Sequence, residues 1–253
     1  MLLRRIVLFH LLNIVTCVPV GQFYHFGADS NTRLGNEDAS AVTILPNQTF
    51  YFYNQEQSTL ILHINGGISF TNSSITFTTD PLPLDGDRSL LAVFWADVDT
   101  RGTGDVWYGQ STDPLLFDRA NTEIRTAFPY QAPFSATQLY IFTWDRVGYF
   151  NSTVNQTNTF QCVVATDGQL KSYAIYLYAD DMIEWTTGDN DGGVNGTGGT
   201  PAQVGINKGD GLEAVIVNGS RTDDIINIAS DSNVGTPGVF IFDISEGTSS
   251  TGE

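Results

Sequence analysis

The stretch FWADVDTRGTGDVWY, at 94–108, places aspartates and glycines at spacings that suit a calcium-binding loop. Three residues fall on positions 1, 3 and 6 of an EF-hand loop: Asp97, Asp99 and Gly102. The match then fails, because Arg101 stands at position 5 and Tyr108 replaces the bidentate glutamate of position 12. The sequence therefore excludes an EF-hand.

Two interpretations of these aspartates remain open. Asp97, Asp99 and Asp105 can bind calcium in a looser arrangement, because carboxylate oxygens are preferred calcium ligands. Alternatively, Arg101 neutralises them around a glycine turn that joins a strand at 90–98 to one at 105–108. We favour the second interpretation and predict no cofactor, with calcium at these aspartates as the alternative.

A second candidate is WTTGDNDGGVNGTGGTPAQVG, at 185–205, which contains seven glycines. Its glycines follow neither the P-loop order nor the Rossmann order, which also requires a helix directly afterwards, and this argues against phosphate binding. Asp189, Asn190 and Asp191 can hold a calcium ion, but the composition is more typical of a loop. We expect residues 187–199 to form an exposed loop between two strands.

Catalytic groups are few. The sequence has three histidines and none of the common metalloprotease, serine hydrolase or cysteine protease motifs. Asp97, Asp145 and Glu184 can supply the carboxylate pair of a glycosidase, but such pairs occur by chance in any acidic protein. The sequence therefore predicts a protein that is not an enzyme and has no catalytic residues, with a glycosidase as the minor alternative.

The first 17 residues have the order of a secretory signal peptide. Arg4 and Arg5 precede an apolar run at 6–15, which ends in small residues. A buried N-terminal helix is the alternative. No later stretch approaches the roughly 20 apolar residues of a membrane helix. The sequence therefore predicts a secreted protein with a signal peptide at 1–17 and no membrane span.

Composition narrows the class of partner. The net charge is −17, from 28 acidic and 11 basic residues. Such a surface repels phosphate backbones, which argues against nucleic acid as a partner.

After signal cleavage, Cys162 would be the one cysteine left in the chain, and its apolar neighbours predict a buried side chain. An exposed Cys162 would instead permit an intermolecular disulfide.

Glycosylation is predicted at several places. Six sequons of the form Asn-x-Ser/Thr occur in polar or glycine-rich stretches, at Asn47, Asn72, Asn151, Asn155, Asn195 and Asn218. Because the chain is expected to be exported, we predict a glycoprotein whose sequons lie on exposed loops.

Short β-rich runs separated by turn residues dominate the chain. Asn65-Gly66 and 166–168 predict hairpins, and the frequency of such turns is typical of a sandwich or barrel. Asp113 and Pro114 suit a helix start, and apolar residues at helical spacing predict a helix at 114–127. Residues 222–230 show a weaker helical pattern. We predict a mainly β, antiparallel β-sandwich-like domain with one or two short helices and a flexible polar tail at 245–253.

Several of these motifs, taken in order, resemble the nidogen-like (NIDO) extracellular domain of nidogen, the tectorins and mucin-type adhesion proteins. They are GGISF, LLAVFWADVDTRGTGDVWYG, WDRVGYF, NTFQCVVATDG and IEWTTGDNDGGVNGTGGTPAQVGINKGDG. The resemblance covers residues 22–244. It implies that the motif residues mostly build the fold and that the family has no catalytic set to transfer.

This resemblance implies a secreted, noncatalytic module of the extracellular matrix or of cell–matrix adhesion. Its partners would be matrix or cell-surface proteins, bound through exposed loops and sheet surface. A calcium-dependent or lectin-like binding module is the alternative. Family members usually carry further modules, whereas a single domain is poorly suited to bridge partners, so adhesion would require self-association or additional sequence.

Overall fold

The computed structural model describes residues 17–35, 40–71, 75–152 and 154–246. The predicted signal peptide and polar tail therefore lie almost entirely outside the described residues. The strands are β1 (Thr32–Leu34), β2 (Ala41–Ile44), β3 (Phe50–Phe52), β4 (Gln55–Gln57), β5 (Leu60–His63), β6 (Gly67–Ser69), β7 (Leu90–Trp95), β8 (Val98–Asp99), β9 (Asp105–Ser111), β10 (Gln138–Tyr149), β11 (Asn158–Thr166), β12 (Ser172–Ile183), β13 (Gln203–Asn207), β14 (Ala214–Ile216) and β15 (Val239–Asp243). The helices are α1 (Pro114–Ala127) and the 3₁₀ segments Val20–Gln22, Asp189–Asp191 and Asp223–Ser230.

Two antiparallel sheets form the body of the protein. The first has the order β1-β9-β10-β11-β12-β15, with β8 also paired to β10, and the second has the order β14-β13-β7-β6-β5-β2. The hairpin β3–β4 forms a separate two-stranded sheet. The prediction of a mainly β, antiparallel, sandwich-like domain is confirmed.

Large aromatic side chains fill the space between the two sheets. Trp144 stacks on Phe160 with ring centroids 4.9 Å apart, and its indole N–H donates to the backbone oxygen of Ile64 at 2.8 Å. Phe94, from the second sheet, meets the ring of Trp185 edge-on at 5.8 Å. These contacts join the two sheets, and a buried indole N–H with a partner avoids the cost of an unsatisfied donor.

The outer face of the first sheet is covered by α1 and residues 18–26. Helix α1 begins as predicted, because the Asp113 carboxylate accepts a hydrogen bond from the backbone N–H of Leu115. Tyr24 contacts two side chains of α1 and so links residues 18–26 to the helix. Its hydroxyl donates to Glu123 at 2.8 Å, and the Arg119 guanidinium lies 3.9 Å from the centre of its ring.

The outer face of the second sheet is also covered. Leu82 and Leu84 pack on Leu90 and Trp95, so residues 75–84 form a lid over this sheet. The lid covers the part of the second sheet around β7, and the edge strands β1, β2 and β14 keep exposed residues. Binding through sheet surface therefore remains a prediction, and the strand connections at the two ends of the sandwich are the other accessible surface.

Both predicted hairpins are present. Residues 64–66 connect β5 to β6, and residues 167–171 connect β11 to β12. Cys162 is fully buried, as predicted. Residues 222–230, which showed a weaker helical pattern, include the 3₁₀ segment Asp223–Ser230.

Within the described residues, no helix is both long and apolar enough to cross a membrane.

Candidate interaction surface

Asp99 is paired with the arginine that the sequence suggested. The Arg101 guanidinium donates to the Asp99 carboxylate from Nη2, to Oδ2 at 2.6 Å, and from Nε, to Oδ1 at 3.0 Å and Oδ2 at 3.2 Å. Its carbon Cζ lies 5.4 Å from the centre of the Phe150 ring. This arrangement fixes the turn after β8, and it agrees with the interpretation that Arg101 neutralises a nearby aspartate.

The other two aspartates of the calcium interpretation lie in different surroundings. Asp105 accepts from the Nε of Arg33 at 2.6 Å, and Asp97 is buried against Gly188. Across residues 17–35, 40–71, 75–152 and 154–246, no group of three or more acidic, histidine or cysteine side chains is arranged to hold a metal ion. The fold therefore does not bring Asp97, Asp99 and Asp105 together as a calcium site.

The glycine-rich loop at 187–199 is exposed at its rim but buried at its base. Asp189, Val194 and Asn195 are exposed, whereas Thr187 and Asp191 are buried. The Thr78 hydroxyl donates to Asp191, and burial raises the pKa of this carboxyl. The loop is therefore exposed at its rim, as predicted, whereas its base packs against the sandwich, which the sequence did not predict.

The three candidate glycosidase carboxylates make separate structural contacts. Asp97 is buried, Asp145 pairs with Arg146 at 3.1 Å, and Glu184 accepts from the backbone N–H of Thr157 at 2.7 Å. Asp145 and Glu184 are thus bound to neighbouring groups of the fold, and Asp97 lies in its interior.

The described sequons are all accessible. Asn47, Asn151, Asn155, Asn195 and Asn218 are exposed, whereas Asn72 lies outside the described residues. Attachment at these positions remains a prediction, and exposure of the asparagine is one condition for it.

The surface most suited to contacts lies at one end of the sandwich, which we call the turn end. It is formed by the connections at 45–49, 167–171 and 208–213. Gln48 lies against Gly168, which joins the first two connections. The third connection is joined to the first sheet through Tyr53. The Lys208 ammonium is 5.6 Å from the centre of the Tyr53 ring, and the backbone N–H of Tyr53 donates to the backbone oxygen of Ile244, next to β15.

A groove of about 410 Å³ opens at the turn end. Its lining includes the carboxylates of Glu56, Asp87 and Asp210, and one ammonium, from Lys208. Lys208 is itself paired with Asp210 at 3.0 Å and with Glu213 at 2.8 Å. We call this feature the acidic groove, because its carboxylates outnumber its single cation.

Three leucines lie exposed around the same end. Leu45, Leu170 and Leu212 have exposed fractions of 73%, 65% and 83%. Each stands in one of the three connections, so exposed apolar side chains and an acidic groove occur on one surface. Sequence reasoning missed this combination, because its residues come from distant parts of the chain and are brought together only by the fold.

The chain is similar to known proteins over most of its length. The model of the nidogen-like domain family, NIDO, matches residues 58–246. The chain is 37% identical to alpha-tectorin of Gallus gallus over 228 residues, which cover 89% of the chain and 11% of that protein. It is 28% identical to nidogen of Drosophila melanogaster over 239 residues, covering 93% of the chain and 17% of that protein.

The chain is also 35% identical to alpha-tectorin of Homo sapiens over 229 residues, which cover 89% of the chain and 10% of that protein. The chain thus spans about a tenth of the length of these alpha-tectorins. No solved structure matches it significantly. Since the family model covers most of the sandwich, including the strands that form its core, the chain belongs to the nidogen-like (NIDO) domain family.

Proposed function

We propose that this protein is a secreted, noncatalytic module of the extracellular matrix that contributes to cell–matrix adhesion through protein contacts. Its relatives carry the names alpha-tectorin and nidogen, and the resemblance to their family implies a matrix role. The exposed sequons support passage through the secretory route.

The turn end is the observation on which the proposal of protein contacts rests. Parts of the outer faces of both sheets are covered, whereas Leu45, Leu170 and Leu212 are exposed beside the acidic groove. Apolar anchors surrounded by polar groups are typical of protein interfaces. The excess of carboxylates favours a partner with a basic surface, because complementary charge increases association rates and selectivity.

A matrix-binding assay tests this proposal. The full chain is expressed in mammalian cells, purified from the medium, labelled, and applied to cell-free matrix deposited by fibroblasts. We expect saturable binding that weakens as salt rises, since screening reduces attraction between exposed charges. Absence of the chain from the medium would contradict secretion, and absence of saturable binding would contradict the matrix role.

Paired variants then locate the contact. The double variant Leu170→Ser/Leu212→Ser removes two exposed apolar side chains from the turn end. We expect its affinity to fall about tenfold, which corresponds to about 1.4 kcal/mol. The control Val194→Ser changes a side chain that is 71% exposed on the glycine-rich loop at the opposite end. Equal losses in both proteins would refute the assignment of the turn end.

A further inference from the structure

A second cavity lies beside the sequon asparagine Asn218, away from the turn end. Its volume is about 360 Å³, and it opens between the turn at 218–222 and the 3₁₀ segment Asp223–Ser230. The polar lining includes Asn218, Asp224, Asn227 and Asp231. The sequon therefore forms part of the wall of a cavity that has many hydrogen-bonding groups.

The backbone fixes Asn218 at this position. Gly219, the middle residue of the sequon, has φ of +79°, and a Cβ there would lie 3.2 Å from the backbone nitrogen of Ile225. Glycine allows both the positive φ and this close approach. The next residue, Ser220, is held by the backbone N–H of Val204, which donates to its hydroxyl at 2.7 Å. The turn thus holds Asn218 beside the start of the 3₁₀ segment.

The chemistry of the cavity favours a neutral, polyhydroxylated occupant. Asp224 and Asp231 can accept hydrogen bonds from hydroxyl and amide N–H groups, and Asn227 can both donate and accept. An anion would be repelled by the two carboxylates. In the described part of the chain, no cluster of three acidic, histidine or cysteine side chains offers a metal site here. An amino sugar carries the hydroxyl and acetamide groups that these side chains complement.

We propose that the cavity seats the first N-acetylglucosamine of an N-linked glycan on Asn218. This proposal rests on the secreted state in the proposed function. During attachment, the Asn218 amide nitrogen loses a proton and bonds to the anomeric carbon of the sugar, while the lipid diphosphate of the oligosaccharide donor leaves. Because the sugar is then tethered to the cavity wall, its effective concentration at the cavity is high.

The 3₁₀ segment is the element that such a sugar would stabilise. It is eight residues long, whereas 3₁₀ runs beyond three or four residues are uncommon because their hydrogen-bond geometry is poor. Ile225 and Ile228 anchor its inner face in the core, and Asp224 and Asn227 lie on the exposed side. Hydrogen bonds from the sugar to that exposed side would hold the segment against the sandwich.

The test compares Asn218→Gln with Asn155→Gln, in full chains secreted by cells that make only high-mannose glycans. Asn155 is an exposed sequon without positive φ, and it does not line this cavity. For Asn218→Gln we expect a Tm lower by about 2–4 °C and faster hydrogen exchange at 223–231. For Asn155→Gln we expect neither change.

Trimming with endoglycosidase H, which leaves one N-acetylglucosamine on each asparagine, should preserve the Tm of the wild-type chain. In protein made by bacteria, which lack this modification, Asn218→Gln should have no effect. An unmodified Asn218 in secreted chains, equal behaviour of the two variants, or loss of stability on trimming would each overturn the sugar seat while leaving the proposed function intact. Failure of secretion would contradict the proposed function itself.

Discussion

His63 makes the stability of the protein depend on pH in a way that can be calculated. It lies in β5 with 5% of its surface exposed, and its Nε2 is 2.8 Å from the Ser69 hydroxyl oxygen. Burial lowers the pKa of His63 from 6.5 to about 4, because the protein interior disfavours the imidazolium. Folding therefore requires a neutral ring over a pH range in which the unfolded chain binds a proton.

The sign and size of the effect follow from linkage. At pH values more than about one unit above 6.5, neither state is protonated at His63, so the residue causes no pH dependence there. As pH falls from 6.5 towards 4, only the unfolded state gains the proton, and the free energy of unfolding decreases. With these two pKa values the loss is about 2 kcal/mol between pH 7.5 and 5, and about 3 kcal/mol below pH 4.

Urea denaturation at pH 5, 6 and 7.5 measures this dependence in the wild type, in His63→Gln and in the control His25→Gln, which changes an exposed histidine. Other titrating groups contribute equally to all three proteins, so the difference between curves isolates His63. We expect His63→Gln to be less stable at pH 7.5 but to lose about 2 kcal/mol less than the wild type on acidification. Parallel curves for wild type and His63→Gln would refute this reasoning.

Three further predictions concern backbone strain, helix capping and calcium. Gly66→Ala should lower the free energy of unfolding by about 2–3 kcal/mol, because its φ is +80° and a Cβ would lie 1.9 Å from the Phe94 oxygen. Gly102→Ala, which has open space, is the control. Asp113→Ala should cost about 1 kcal/mol through the lost cap of α1, and mid-helix Asp118→Ala less than about 0.5 kcal/mol, both by urea denaturation. Chelation with EDTA should leave the Tm unchanged within about 1 °C, whereas a shift of several degrees would restore the calcium interpretation.

Local signals in the sequence were sufficient for the elements that depend on neighbouring residues. Helix α1 has the predicted bounds, because Asp113 and Pro114 act through the first turn alone. The Asn65-Gly66 turn was equally predictable from the sequence, since positive φ at Gly66 is a property of the turn itself. Such features require no knowledge of which strands become neighbours in space.

Long-range packing accounts for what the sequence did not predict. Residues 75–84 show no strand or helix pattern, and only the folded chain shows that Leu82 and Leu84 cover the second sheet. The acidic groove combines Glu56, Asp87 and Asp210, which are brought together by the sandwich. The base of the glycine-rich loop is buried for the same reason, because Asp191 is held there by the hydroxyl of Thr78, which is distant in sequence.

The placement of the family motifs is compatible with the proposed recognition through the exposed leucines of the turn end. Trp95, Trp144 and Trp185 all come from these motifs and are buried, and Gly104 from the same set has a Cβ position only 2.2 Å from the Arg146 oxygen. Substitution at such positions destabilises the fold before it alters a contact. Leu45, Leu170 and Leu212 lie outside the motifs on exposed connections, where side chains can change at little cost to stability. The proposed contact at these leucines could therefore change without loss of the scaffold.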